Sequence, residues 1–314
     1  MRPIVTTLHF PRRAAWAARA RMLDRDALPP HRLLRELLGQ AGPDDVVVLD
    51  GGIGARALYL DRVAAGLLAH RRRPPRVVIT DSTWAPGRGR RAAVRAIDSP
   101  RTTYCVLSTS EQASFPGNWG VDPGRVAVTP FYWTLPEAHP EPRPGGHGVF
   151  AGGDSLRDHA TLLRAARHVE APVTIATRQP PAGDAPPNVT MGPVPPETFL
   201  TQLRESAVVV VPLVPGLARS AGQQTYLNAM VLGKPVVVSD VPGVRDHVVH
   251  GETGLVVPAG DADALSDALR WATDPAHEAE VRRMGERARR AVLDGASPDA
   301  YVDRLLSVID GLPA

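Results

Sequence analysis

The amino-acid sequence predicts an α/β protein with two doubly wound parallel sheets. Its 314 residues suit two domains, since one domain takes roughly 100–200 residues. Continuous apolar runs such as Asp45–Asp50 and Arg76–Thr80 alternate with helical stretches, as expected of strands that are buried on both faces of a parallel sheet. A proline- and glycine-rich stretch, Leu135–Gly148, interrupts this alternation, which then starts again. We therefore expect two such domains in series.

The first half carries fewer elements than a full doubly wound domain. Residues 11–40 have a helical composition divided by Pro29 and Pro30, and helices are predicted at His31–Leu38 and Arg56–His70. No opening strand with a glycine loop is evident, so we expect a reduced N-terminal domain. The strands predicted here are Asp45–Asp50, Arg76–Thr80, Thr103–Leu107 and Arg125–Thr129.

The second half repeats the pattern more fully. Helices are predicted at about residues 158–169, 197–205, 223–232 and 262–273. The strands predicted here are Val149–Ala151, Val173–Ala176, Val208–Val211, Pro235–Ser239 and Leu255–Val257. Two Rossmann-like domains side by side would leave a cleft facing the carboxyl ends of both sheets, where open α/β folds bind their ligands. We expect the active site in that interdomain cleft.

The proline-rich stretch sets the predicted domain boundary. Its prolines and glycines disfavour regular structure, which is typical of a linker. We expect an N-terminal acceptor-type domain at residues 1–140, a C-terminal ligand-binding domain at residues 141–297, and a helix at residues 298–314 that packs back toward the first domain.

Composition excludes several classes of protein. A single cysteine, Cys105, allows neither an internal disulfide nor a thiolate zinc cluster, and no apolar run is long enough to cross a bilayer. The net charge of +3 is uneven, because residues 1–140 carry +8 and residues 141–314 carry −5. A basic first half suits an anionic acceptor or membrane surface, although a solvated surface is the simpler interpretation. We expect a cytoplasmic protein that binds no nucleic acid and is peripheral to the inner membrane face at most.

The densest motif runs from Arg219 to Asp240. Small residues at 220–222 would let a ligand approach the backbone, and a helix starting near Gln223 offers unpaired N–H groups and a positive dipole end to a phosphate. Gly233 would end that helix and Pro235 would open the next strand. The motif therefore predicts an anion site, with a plain helix cap as the alternative.

This half of the sequence resembles the donor domain of GT-B glycosyltransferases, in particular the retaining glycosyltransferase family 4 group. Four motifs occur in the family's order and cover about residues 148–290: Val149–Gly153, Ser220–Val238, Asp240–Asp246 and Gly251–Pro258. The resemblance implies a GT-B fold and transfer of a sugar, with retention and without a metal ion or other cofactor. The donor would be a nucleoside diphosphate sugar and the acceptor a hydroxyl of a small molecule, a glycan or a lipid-linked molecule.

The resemblance also assigns roles to residues. Arg157 corresponds to the family's phosphate-binding basic residue and would stabilise the departing diphosphate, unless it is only a solvent-facing arginine at a helix start. Asn228 would bind the ribose, and Gly243–Asp246 would line the sugar pocket. The predicted donor-binding residues are Gly152, Gly153, Arg178, Arg219, Ser220, Ala221, Gly222, Gln223, Asn228, Lys234, Gly243 and Asp246.

The sequence departs from the family at two positions. The family usually has two glutamates seven residues apart, and here these positions hold Ser220 and Asn228. A hydroxyl and an amide still form hydrogen bonds, but both changes remove a negative charge. A catalytically inactive homologue that binds sugar nucleotides is therefore an alternative.

Two features of the first half complete the prediction. Asp81 follows a predicted strand, where the family often has a histidine, and is a candidate to orient the acceptor hydroxyl or else to cap a turn. Gly51, Gly52 and Gly54 form a glycine turn between a strand and a helix, which we place on the acceptor side. Such turns also occur in S-adenosylmethionine sites, so a methyltransferase is a further alternative.

Overall fold

The structure is a computed structural model that describes residues 2–10, 13–24, 27–52, 57–136, 140–180 and 183–313. The chain forms two compact units. Met1–Pro130 with Asp299–Ala314 make up the first, and Phe131–Pro298 the second. Each unit contains a parallel six-stranded sheet with helices packed against it. The α/β class with two Rossmann-like sheets is confirmed.

In the first unit the strand order is β2-β1-β3-β4-β5-β6. The strands are Ile4–Thr6 (β1), Ala20–Met22 (β2), Val46–Asp50 (β3), Arg76–Thr80 (β4), Thr102–Val106 (β5) and Val126–Val128 (β6). The helices between them are Ala14–Ala17 (α1), Pro30–Gln40 (α2), Ala57–Ala69 (α3), Arg88–Ile97 (α4) and Thr109–Trp119 (α5). The chain leaves β1 for β2 on one side and later pairs β3 on the other, so the sheet has a switch point between β1 and β3.

The first two strands were not predicted. Ile4 pairs with both Ala20 and Val46, so β1 lies inside the sheet rather than at its edge. The prediction that residues 11–40 are helical was wrong for Ala20–Met22. Each of these strands is three residues long, which is too short for a periodic pattern to distinguish it from a loop or a helix end.

In the second unit the strand order is β12-β11-β10-β7-β8-β9. The strands are Val149–Gly152 (β7), Val173–Ala176 (β8), Val189–Gly192 (β9), Val208–Val211 (β10), Val236–Asp240 (β11) and Leu255–Pro258 (β12). The helices are His159–Ala166 (α6), Pro196–Glu205 (α7), Gln223–Val231 (α8), Ala262–Thr273 (α9) and Glu278–Gly295 (α10). All five predicted strands and four predicted helices of this half are present, whereas β9 and α10 were missed.

A central strand shows why the valine runs were recognisable. In β10, Val209 and Val211 join a core with α7, α8 and α10, while Val208 and Val210 join a second core with α6 and α9. Successive side chains of a strand point to opposite faces, so both faces must be apolar when helices cover both. The parallel strands bring their carboxyl ends to one edge, which positions the loops after β7 and before α8 together.

The boundary between the units lies about ten residues before the predicted one, at Pro130 and Phe131. Trp133 and Leu135 are buried in the core of the second unit. The backbone N–H of Trp133 donates to the carbonyl of Ala296 at 3.1 Å, and that of Thr134 donates to Asn228 Oδ1 at 2.7 Å. These contacts place residues 133–135 in the second unit, not in the first as predicted.

The last helix, Pro298–Asp310 (α11), packs with the first unit. Asp310 accepts two hydrogen bonds from the Arg19 guanidinium, at 2.6 and 3.0 Å. The side chain of Arg2 donates to the Leu312 carbonyl at 3.0 Å. In the described part of the chain, no helix is long and apolar enough to cross a membrane.

Gly285 of α10 packs against the turn that follows α8, where an added Cβ would overlap the carbonyl oxygen of Gly233. We therefore expect Gly285→Ala to lower the free energy of unfolding by roughly 1–3 kcal/mol, since the helix must shift to make room. Gly295→Ala in the same helix is the control, because nothing lies within 4 Å of the added Cβ. Urea unfolding followed by circular dichroism measures both variants. Equal midpoints for the two variants would contradict the expectation.

Candidate functional site

A cavity of about 600 Å³ lies at the carboxyl edge of the second sheet. Its walls come from the loop after β7, from α7, from the start of α8 and from residues 134–136. The residues that line it are Thr134, Leu135, Pro136, Gly153, Asp154, Ser155, Arg157, Pro196, Phe199, Leu200, Leu203, Arg219, Ala221, Gly222, Gln224, Thr225 and Asn228. The volume suits a small-molecule ligand of the size of a nucleotide.

Helix α8 begins at the wall of this cavity. Gly222 precedes the helix with a φ of +74°, in the left-handed region, and a Cβ there would lie 2.8 Å from Val211 Cγ1. Glycine is therefore required for both backbone conformation and space. In the described chain no side chain caps this helix, so its first N–H groups and the positive end of its dipole lie beside the cavity. This is the geometry of an anion site at a helix start.

Arg157 is one of the charged residues that line the cavity. Its Nε donates to the Gly152 carbonyl at 2.9 Å, Nη1 to the Ser155 carbonyl at 3.0 Å and Nη2 to Thr225 Oγ1 at 2.9 Å. These acceptors are uncharged, so the guanidinium keeps its positive charge. Burial lowers the pKa of Arg157 to about 10, which still leaves it protonated at neutral pH. A desolvated cation beside a helix N-terminus is an environment that attracts a phosphate.

The loop after β7 is shaped to admit this guanidinium. Gly153 has a φ of +107°, and a Cβ on it would lie 2.9 Å from Arg157 Nη2. Leu156 has a φ of +59°, which is a strained conformation for a residue with a branched side chain. A Cβ on Gly152 would overlap the ring of Phe199, so this glycine is required by packing.

Asn228 and Gln224 lie one turn apart on α8. Both form hydrogen bonds with Thr134, near the start of the second unit. Asn228 accepts from the Thr134 N–H at 2.7 Å and its Nδ2 donates to Thr134 Oγ1 at 3.3 Å. Gln224 Nε2 donates to the same hydroxyl at 3.0 Å. This amide pair forms a polar, uncharged wall of the cavity.

In the first unit, Asp81 lies at the carboxyl end of β4 with a φ of +47°. Tyr301 of α11 donates a hydrogen bond to Asp81 Oδ1 at 3.4 Å. Burial and the nearby carboxylates of Asp50 and Glu111 raise the pKa of Asp81 to about 7, against the opposing effect of Tyr301. The group therefore exchanges a proton near neutral pH, which suits a residue that orients a hydroxyl.

The glycine turn after β3 has a packing explanation. A Cβ on Gly51 would overlap the Thr80 carbonyl oxygen, which also accepts the Gly51 N–H at 2.7 Å. The carbonyl of Gly51 accepts a 2.7 Å hydrogen bond from Trp84 Nε1, and the N–H of Gly52 donates to Asp50 Oδ1 at 2.8 Å. Gly54 lies outside the described residues. The close approach to β4 requires glycine at position 51 whether or not a ligand binds there.

Comparison with known proteins connects the second unit to sugar transfer. Residues 151–274 match the sequence model of a family described as "Glycosyl transferases group 1". The match covers most of the second unit, so the sequence of that unit is similar to those of this family. This confirms the resemblance to GT-B glycosyltransferases inferred from the four motifs.

Two curated relatives match over short segments. The D-rhamnosyltransferase WbpZ of Pseudomonas aeruginosa is 34% identical over 65 residues, which is 20% of this chain and 16% of WbpZ. A phosphatidyl-myo-inositol mannosyltransferase of Mycobacterium leprae is 51% identical over 43 residues, which is 14% of this chain and 12% of the relative. The matches thus span less than a fifth of either relative.

Solved structures extend the likeness to the whole fold. The structure of HepE from Anabaena in complex with UDP has a TM-score of 0.67 and 13% identity, covering 99% of this chain and 100% of HepE. HepE has also been solved in complex with UDP-glucose. The chain therefore has the GT-B fold.

The structure brings together part of the predicted donor set in the second unit. Gly153, Arg157, Arg219, Ala221, Gly222 and Asn228 line the cavity. Ser220 and Gln223 are buried beside it, at the start of α8. The Arg178 side chain is 83% exposed, and its Nε donates to Asp154 Oδ2 at 2.6 Å. The backbone N–H of Arg178, the Thr177 hydroxyl and this guanidinium lower the pKa of Asp154 to about 2.

Three predicted donor residues lie elsewhere. Lys234 precedes β11 at the amino end of the sheet, and its Nζ donates to the carbonyls of Gly145 and Ser206, each at 2.8 Å. This lysine is 1% exposed and stabilises the fold, so the prediction that it contacts a diphosphate was wrong. Gly243 and Asp246 follow β11 but do not line the cavity, and Asp246 is exposed.

Several cavity residues were missed from the sequence. Gln224 shares a helix face with Asn228 through their spacing of four, so the pattern could have revealed it. Thr134 and Thr225 gave no such signal, because their roles depend on contacts between distant segments. Among the described residues, no group of three or more His, Cys, Asp or Glu is placed to hold a metal ion.

The raised pKa of Asp81 makes stability depend on pH. The folded protein holds this proton more tightly than the unfolded chain, so the carboxyl contributes most to stability below about pH 4, and this contribution is lost as the pH rises through about 7. We therefore compare the free energies of unfolding of Asp81→Asn and the natural protein. The difference in favour of the variant should increase by about 2 kcal/mol from pH 5 to pH 8, after allowance for partial solvent screening. Urea unfolding at the two pH values measures this difference.

Comparing the two pH values cancels effects of the substitution that do not depend on pH, such as an altered contact with Tyr301. Asp303→Asn is the control, because this carboxyl lies exposed on α11 in the same unit. It should follow the pH dependence of the natural protein. If Asp81→Asn also does so, Asp81 does not titrate near neutral pH.

Proposed function

We propose that this chain is a glycosyltransferase that moves a sugar from a nucleoside diphosphate sugar to an acceptor hydroxyl. The observation that carries the proposal is the convergence of the Arg157 guanidinium and the N-terminus of α8 on one cavity of the second unit. The group 1 family match and the UDP and UDP-glucose complexes of HepE support a nucleotide sugar as donor.

The diphosphate is proposed to lie between Arg157, Arg219 and the first turn of α8. As the bond between the anomeric carbon and the phosphate oxygen breaks, negative charge grows on the diphosphate. Positive groups that are already in place stabilise this charge without reorganisation, which lowers the barrier. The apolar side of the cavity, formed by Pro196, Phe199 and Leu200, is proposed to pack against the base.

Retention is proposed to follow from attack on the face that the diphosphate leaves. The acceptor oxygen bonds to the anomeric carbon, and its proton passes to the departing phosphate oxygen, so the step needs no enzyme nucleophile and no metal ion. Asp81 is proposed to orient the acceptor by accepting a hydrogen bond from a hydroxyl next to the attacking one, so the proton of the attacking hydroxyl still points to the phosphate oxygen. With a pKa of about 7, Asp81 serves this role in its ionised form, so the rate should rise as the pH passes through neutrality.

Asn228 is proposed to bind the ribose, using an amide where the resembled family has a carboxylate. We also propose a cytoplasmic location. Turnover assays on a panel of a small molecule, a glycan and a lipid-linked acceptor would identify the acceptor class. The relative from Mycobacterium leprae is named for phosphatidyl-myo-inositol, which places an inositol lipid on that panel.

Replacing Arg157 tests the proposed donor site directly. Arg157→Ala should lower turnover by about 10²-fold or more, since that is the usual loss when one transition-state contact is removed. Affinity for UDP, measured by calorimetry, should fall as well. Arg164→Ala is the control, because Arg164 is exposed on α6 outside the cavity. An unchanged rate in Arg157→Ala would refute the diphosphate role.

A second candidate is a homologue that binds sugar nucleotides without transferring the sugar. Ser220 is buried, and both amide atoms of Asn228 form hydrogen bonds with Thr134. Neither side chain carries the negative charge of a carboxylate. Calorimetry against nucleoside diphosphates and S-adenosylmethionine, followed by turnover assays on the acceptor panel, separates the alternatives. Nucleotide binding without turnover on any acceptor would favour the inactive homologue. Binding of S-adenosylmethionine alone would favour a methyltransferase.

A further inference from the structure

Helices α2, α3 and α4 form one continuous layer in the first unit. Helix α3 packs against α2 on one side and α4 on the other. The connections β2 to β3, β3 to β4 and β4 to β5 all advance across the sheet in the same direction. Right-handed crossovers in one direction place their helices on the same face of a sheet. We call this layer, with the Arg71–Arg73 segment that follows α3, the helical face.

The helical face is strongly basic. Residues 30–40, 57–73 and 88–97 contain ten arginines and two acidic residues, Glu36 and Asp61. Asp61 is buried and accepts the backbone N–H of Asp50 at 3.0 Å, so it adds little negative charge at the surface. The exposed arginines of this face with described side chains are Arg32, Arg35, Arg72, Arg73, Arg90, Arg91 and Arg95.

Some of these arginines hydrogen-bond the backbone, which leaves their charge in place. Arg71 donates to the carbonyls of Leu38 and Ala41 at 2.6 and 2.8 Å, and Arg90 donates to Ala85 at 3.0 Å. Arg91 donates to the Gly117 carbonyl. A carbonyl oxygen fixes a guanidinium in position but does not neutralise it. The helical face therefore keeps an unusually high density of positive charge.

Two aliphatic side chains stand exposed within this basic layer. Val63 and Leu67, one turn apart on α3, are 48% and 50% exposed, and they are two of the four large hydrophobic residues exposed in the described chain. The C-terminal end of α3 packs against α4. Nε2 of His70, the residue after α3, lies 3.3 Å from the Ala96 carbonyl oxygen. The two side chains thus lie between helices that carry arginines on both sides.

We propose that the helical face docks on a membrane surface that contains anionic lipids. Arginines would contact the headgroups while Val63 and Leu67 enter the boundary between headgroups and acyl chains, which is how surface-lying helical elements bind bilayers. A nucleic acid would satisfy the charges but would leave the aliphatic pair without an apolar partner. This inference goes beyond the proposed function and does not depend on it, since docking requires neither donor nor acceptor.

Sedimentation with vesicles tests the proposal on the full chain. We expect binding to vesicles of phosphatidylcholine and phosphatidylglycerol in equal parts, weak binding to phosphatidylcholine alone, and weaker binding as salt is raised. Arg35→Glu with Arg95→Glu, one change on each helix that flanks α3, should lower the partition coefficient by at least about 20-fold. Arg283→Glu with Arg290→Glu, exposed on α10, makes the same charge change in the second unit and should bind like the natural protein.

The aliphatic pair provides an independent variant. Val63→Ser with Leu67→Ser should lower partitioning by about 10-fold without changing the charge. Leu293→Ser, at a residue 37% exposed on α10, is its control. Circular dichroism of every variant excludes unfolding as the cause of a loss. Equal binding to both vesicle types, no binding to either, or equal losses in the helical-face and α10 variants would overturn the proposal.

Discussion

The positive charge of Arg157, held in place by uncharged oxygen atoms, is the constraint around which the second unit is arranged. Its three partners come from the end of β7, from the loop after it and from α8, so the guanidinium connects this loop to the first turn of α8. The loop allows this only because Gly153 has no Cβ and Leu156 accepts a left-handed conformation. Backbone strain of this kind costs about 1–3 kcal/mol and is retained where it serves a site. A half-buried cation whose hydrogen-bond partners are uncharged favours an anionic ligand.

Two uncharged side chains stand where the resembled family has carboxylates, and this affects the charge of the proposed site. Ser220 and Asn228 replace the two glutamates of the resembled family, and the acidic residue that lines the cavity, Asp154, is paired with Arg178. The remaining field is positive, which strengthens the attraction for a diphosphate. The same change weakens recognition of hydroxyl groups, because a carboxylate accepts stronger hydrogen bonds than an amide does. Under the proposed function, nucleotide binding and sugar transfer therefore depend on different groups of this site.

The sequence predicted elements whose burial is uniform and missed those whose role depends on distant contacts. The valine run of β10 is recognisable because both of its faces pack against helices. Strands β1 and β2 are three residues long, and only their pairing within the sheet shows what they are. Lys234 looked like a phosphate ligand because it lies close in sequence to the α8 motif, yet it lies at the opposite end of the strands and binds two carbonyls. Motif spacing locates a loop along the chain but not the edge of the sheet on which a side chain lies.

Opposite charges are separated within the first unit. The helical face carries the arginines, whereas the carboxyl edge of its sheet carries Asp50, Asp81 and Glu111, close enough to raise the pKa of Asp81. An anionic surface attracts the first region and repels the second, so the charge pattern selects one orientation of the unit on a membrane. That orientation keeps anionic headgroups away from Asp81, whose pKa they would raise further. The net charge of +8 in the first half of the chain is therefore the sum of a basic region and an acidic region, which an anionic surface attracts and repels respectively. Only the fold shows that these two regions are separate.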